Sequence, residues 1–133
     1  QGIICFNTFD PSYTFIAENS DPNNIQEFLR TEYVNTRGNK EKIYNRVYFN
    51  CENQCIQGHW IFEEIDTRTG KLSRRERPVT LRWTFKVEIE LLARLCGFTI
   101  LEVYGGYDKS HPVIGGNLVW LLQKIKTVHY TNS

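Results

Sequence analysis

Residues 2–9 form a nearly continuous apolar run, as expected of a strand covered on both faces of a sheet. Asp10-Pro11-Ser12 breaks it. Asp21-Pro22 reads as a helix start, with Asp as cap and Pro in the first turn. Ile25, Phe28 and Leu29 would then give that helix a short apolar face. Residues 36–40 read as an exposed loop. From residue 42 the period changes to two: Ile43, Asn45, Val47 and Phe49 alternate with Tyr44, Arg46 and Tyr48. Residues 54–65 place Ile56, Trp60 and Phe62 on one face and Gln57, His59 and Glu63 on the other. A turn closing on Gly70 follows, and residues 77–85 return. The expectation is a three-stranded antiparallel meander with one wetter face.

The next stretch switches to a helical period. Thr84 is placed to cap a helix over 85–96. Ile89, Leu92, Ala93 and Cys96 fall at i, i+3, i+4 and i+7, which predicts one buried stripe. Gly97 supplies a left-handed stop. Residues 98–105 and 117–125 then read as strands rich in apolar and β-branched residues.

Charge and composition narrow the classes of function. Sixteen Lys and Arg against fifteen Asp and Glu leave no basic stripe, so a nucleic-acid surface is not expected. No apolar run approaches the roughly 18 residues of a membrane span, and no basic leader precedes the first apolar residues. The 14% aromatic content suits a filled core or an aromatic pocket. Of four cysteines, Cys5 and Cys96 sit in apolar patterns and are expected as buried thiols. Cys51 and Cys55 flank a short loop and read chiefly as free thiols of a cytoplasmic protein, with a disulfide or a metal pair as alternatives. A zinc site would need two more ligands and only His59 is near, so no metal is expected.

The order of these motifs resembles the C-terminal half of class I S-adenosylmethionine-dependent methyltransferases. The residues that carry the likeness are Leu81-Arg82-Trp83-Thr84, Glu90-Leu91-Leu92, Cys96-Gly97-Phe98 and Val103-Tyr104-Gly105-Gly106-Tyr107-Asp108, with 2–12 resembling the fifth strand. The resemblance implies an α/β fold, α+β for this piece alone. Its partial Rossmann-like core would comprise 1–12 and 79–133, with strands in the order 5-7-6, and a three-stranded substrate lid inserted over 13–78. It implies S-adenosylmethionine as cofactor of a longer parent and a small-molecule substrate. The Gly-rich loop and acidic strand end of that family's cofactor half have no counterpart here, so this piece alone is expected to bind no cofactor and to be inactive. The first strand would lose a neighbour, and an unpaired apolar edge invites a second chain; a dimer or swapped pair is expected.

Carried over by position, Asn7, Phe9 and Asp10 end the fifth strand and would approach the transferred methyl group. Alternatively, Asn7 and Asp10 satisfy a turn. Arg46, Tyr48 and Trp60 on the meander and Arg82 before the helix are candidates for substrate binding, since an Arg beside aromatics suits a small anionic or planar molecule. Tyr104 and Tyr107 flank Gly105-Gly106 and are the candidate catalytic phenols. Two other readings stay open: a non-catalytic α+β ligand-binding module, and a protein-interaction domain that uses the strand edge.

Overall fold

The computed structural model describes residues 2–125. Residues 126–133, included in the expected core segment 79–133, lie outside the described residues, as does residue 1. The chain divides into two compact units: the residues up to Phe15 together with those from Trp83 on, and Ile16–Arg82.

The first unit holds a three-stranded antiparallel sheet in the order β1 (Ile3–Phe9), β7 (Asn117–Lys124), β6 (Phe98–Tyr104). This is the 5-7-6 order that the resemblance implied. Helix α2 (Lys86–Leu95) covers one face, packing Ala93 and Ile89 against Leu118, Trp120, Leu122, Phe6, Ile100 and Val103. Trp120 is completely buried. Its indole N–H donates to Thr8 Oγ1 at 2.8 Å, and its ring stacks on Phe6 at 6.4 Å. Burying a side chain of this size contributes about 1.5–3 kcal/mol, provided its polar atom is satisfied.

Several details differ from the sequence reading. The cap of α2 is Phe85 rather than Thr84. Glu88 Oε2 accepts the Phe85 N–H at 2.8 Å and Asp10 Oδ1 accepts the Lys86 N–H at 3.2 Å, so two first-turn donors find carboxylates instead of a hydroxyl. Of the expected stripe, Ala93 is buried and Ile89 half-buried, whereas Leu92 and Cys96 are exposed. Cys5 is exposed too, because β1 has a neighbour on one side only among the described residues. That strand is mostly exposed rather than covered on both faces. Gly97 stops α2 as expected, at φ +73°.

The second unit carries a four-stranded antiparallel sheet in the order β2 (Glu27–Val34), β3 (Lys40–Asn50), β4 (Cys55–Ile65), β5 (Leu72–Arg82). The meander therefore has four strands, not three. The expected helix after Asp21 is absent: Asp21 Oδ1 accepts the Asn23 N–H at 2.8 Å and closes a turn, because a cap residue serves a turn as well as a helix. Thr31, Tyr33 and Val34 then favour the extended state and pair along β3. The short helix α1 (Tyr13–Glu18) lies earlier, where Ser12 Oγ accepts the Phe15 N–H at 3.2 Å. Strand β5 begins at Leu72 rather than 77, and Pro78 is tolerated because β5 is an edge strand.

Candidate functional site

At one end of the first unit's sheet, Asn7 and Tyr104 are both opposite Val119. Residues directly opposite share a face, so the amide and the phenol flank Val119 in a single row. With neighbouring strands about 4.8 Å apart, their backbones lie about 10 Å from each other. Asn7 is exposed and Tyr104 half-buried. Phe9 is opposite Asn117 at the last rung. Asp10 leaves the strand with its N–H donating to the Gly116 carbonyl at 3.1 Å and its carboxylate at the start of α2; it holds two segments together.

Tyr107 stands apart, exposed on a tight loop after β6. Gly105 N–H donates to the Ser110 carbonyl at 2.7 Å, and a Cβ at Gly105 would lie 2.3 Å from the His111 carbonyl oxygen. Asp108 closes the loop by accepting the Ser110 N–H. The Ser110 hydroxyl, then its backbone N–H, hold the Asp108 carboxyl below the usual range.

In the second unit the two faces of the sheet differ in how their charges are balanced. One face carries Arg46, which donates to Glu76 at 2.6 Å, and Arg74, which reaches both Glu27 at 2.8 Å and Glu63 at 2.6 Å. Lys42 lies 4.0 Å from Glu32 on the same face. The Arg46 hydrogen bond holds the Glu76 carboxyl below its ordinary value, and the bond to Glu27 raises Arg74. Tyr48, also on this face, donates its hydroxyl proton to Gln57 at 3.0 Å.

The register places Trp60 on the opposite face, in a row Phe28–Asn45–Trp60–Arg77 that crosses all four strands. Arg46 and Trp60, both expected to meet substrate, are thus not brought together. The β-bulge between Leu29 and Thr31 sets Arg30 with its guanidinium 5.2 Å from the Trp60 ring. In the next row Arg75 lies 5.7 Å from the Phe62 ring and 3.7 Å from Glu41. Arg82 ends β5 opposite Cys55. Arg30 escapes the sequence reading because residues 25–29 read as a helix face, and Arg77, the first residue of the expected return strand, has no cross-strand partner that alternation alone can assign. The β-formers Thr31, Tyr33 and Val34 were the available signal.

At the turn end of this sheet Glu64 accepts from Asn39 at 2.7 Å, from Asn35 at 3.2 Å and from Arg37 at 2.7 Å. The Asn39 and Asn35 hydrogen bonds, in that order, hold its carboxyl below the usual range. A cleft of about 420 Å³ is lined by Glu32, Tyr33, Val34, Lys40, Glu41, Lys42 and Ile65. Another of about 390 Å³ lies beside Gly97 and Phe98. No sequence-derived candidate lines either cleft. Among the described residues no group of three His, Cys, Asp or Glu side chains is placed to hold a metal ion, and no helix is long and apolar enough to cross a membrane.

No protein-family model matches the chain, and no curated protein does. Solved structures do. The CcbJ methyltransferase from Streptomyces caelestis superposes with a TM-score of 0.65 at 14% identity, covering 93% of this chain and 47% of that one. A S-adenosylmethionine-dependent methyltransferase from Clostridium acetobutylicum ATCC 824 gives 0.61 at 14% identity, with 92% and 44% covered. The chain therefore spans less than half the length of each, and it is a mostly-sheet α+β structure similar to the C-terminal parts of methyltransferases.

Proposed function

We propose that this chain is the C-terminal part of a S-adenosylmethionine-dependent methyltransferase that acts on a small molecule. The observation that carries the reading is the β1-β7-β6 sheet with α2 leading into β6, in a chain that spans under half of two solved methyltransferases. In this reading the four-stranded sheet is the substrate lid, and Asn7 and Tyr104, paired across Val119, orient the methyl acceptor. Methyl transfer is served mainly by holding acceptor and donor in line, which an amide and a phenol on fixed strands do without a strong base. Phe9, opposite Asn117 at the last rung of the same sheet, completes the acceptor's surroundings. Four unpaired thiols suit a reducing, cytoplasmic setting.

The residues of this chain do not by themselves form a cradle for the cofactor. Every described strand pairing is antiparallel, and the β1–α1 turn, Asp10 to Ser12, contains no glycine. A nucleotide-binding crossover needs a parallel strand, a Gly-rich turn and a helix start in sequence. The cofactor would be held by the rest of the parent, and this chain alone is inactive.

Calorimetric titration of S-adenosylmethionine into the chain tests the division. No saturable heat is expected, and tight binding would overturn it. Methyl transfer from labelled cofactor by the parent polypeptide, lost in the chain alone, is the complementary result.

A further inference from the structure

The contrast between the two faces of the four-stranded sheet has a chemical reading. On the Arg46 face, Lys42, Arg46 and Arg74 each meet at least one carboxylate. On the Trp60 face, Arg30 and Arg77 have no carboxylate within ion-pair distance among the described residues. Arg30 lies over the Trp60 ring, and Arg77 is directly opposite Trp60 on β5. Phe28 closes the same row on β2 and is exposed. The carboxylates on this face, Glu41 and Glu64, sit toward the turn end and are engaged by Arg75, Asn35, Asn39 and Arg37.

Two unmatched guanidiniums beside a half-buried indole leave a positive, flat surface with unfilled donors. A guanidinium presents a planar fork that fits a carboxylate with two parallel hydrogen bonds. The indole face attracts a cation on one side and stacks a planar group beside it. One ligand chemistry uses both: an aromatic ring bearing a carboxylate. We propose that the sheet face centred on Trp60 binds an aromatic carboxylate, its ring on Trp60 and Phe28 and its anionic end between Arg30 and Arg77. This face lies in the second unit and its ligand goes beyond the methyltransferase reading. Binding of a probe by this chain requires no methyl transfer, so either can fail without the other.

The test is titration of 2-naphthoate into the chain, followed by the Trp indole and Arg Nε–H cross-peaks in ¹H–¹⁵N spectra. Saturable shifts are expected at Trp60, Arg30 and Arg77. Arg30→Gln and Arg77→Gln should each weaken binding about tenfold, since each removes a charge-assisted hydrogen bond worth about that much. The neutral 2-naphthylmethanol should bind at least about tenfold more weakly for the same reason. Arg74→Gln, which removes the same charge from the opposite face, should leave the affinity unchanged. Naphthoate and its alcohol binding equally, or Arg74→Gln weakening binding as much as Arg77→Gln, would overturn the proposal. So would a single-stranded oligonucleotide competing more strongly than naphthoate, which would assign the face to a polymeric anion instead.

Discussion

Gly58 sits in β4 at φ +147°, a conformation that L side chains rarely adopt. A Cβ there would fall 2.2 Å from the Arg46 carbonyl oxygen and 2.8 Å from Val47 Cα. Both obstacles are backbone of the neighbouring strand, so neither can swing aside. Gly70 also has a positive φ, +70°, but a Cβ there meets nothing within 4 Å. The pair separates conformational strain from collision. Gly70→Ala is expected to cost about 1–2 kcal/mol, the ordinary cost of a left-handed residue. Gly58→Ala should cost clearly more, about 3 kcal/mol or above, because ladder bonds must shift as well. Urea unfolding of the two variants measures the difference; equal losses would mean that β3 yields without penalty. Gly58 precedes Trp60 by two residues on the same face, so the variant also tests how firmly the Trp60 row is held.

The four-stranded sheet is tied across its strands by carboxylates whose acidity it has increased. Glu64, through Asn39 and Asn35, and Glu76, through Arg46, both titrate below their ordinary 4.5. A carboxyl with a lowered native value stabilises the fold above its unfolded value and loses that contribution as the pH falls through the native one. Stability should be level from neutral pH to about 5 and decline below about 4.5. Asn39→Ala, which removes the largest influence on Glu64, should bring the Glu64 carboxyl back toward 4.5 in a ¹³C titration and flatten the acid decline. An unchanged Glu64 titration in that variant would sink the assignment. This network, like the Trp60 row, depends on register, and register is where sequence reading stops. Alternation correctly grouped Ile56, Trp60 and Phe62 on one face. It could not tell that Arg46 pairs with His59 rather than Trp60, because a one-residue slip exchanges the faces. Arg30 lies at a bulge, where alternation fails by construction of the ladder. Strand β2 reads as a helix in the sequence because Asp21-Pro22 suits a turn as well as a helix start. Helix α2, the Gly97 stop and the β1-β7-β6 order were legible; the buried side of α2 was legible only in part, since periodicity defines a stripe but not what covers it.

What the first unit leaves uncovered is considerable. Val87, Leu91 and Leu95 follow at i, i+4 and i+8 on α2, and are 62%, 54% and 69% exposed. Ile3 on β1 is 58% exposed, and the strand's outer edge has no neighbour among the described residues. The similar solved structures are about twice as long as this chain, and surfaces of this kind are expected where a sheet and its helices continue. In the isolated chain the open ladder of β1 is the more directional of the two, because every unpaired backbone group on it seeks a partner. A second copy supplies the same edge in the antiparallel sense required for a twofold pair. Light scattering across a concentration series should therefore show reversible dimers. Ile3→Lys, a charge placed on the edge strand, should return the chain to monomer, whereas Leu95→Glu should leave the dimer intact. The reverse outcome would assign association to the apolar stripe of α2, and a monomer at all concentrations would show that water satisfies the β1 edge well enough to keep it single.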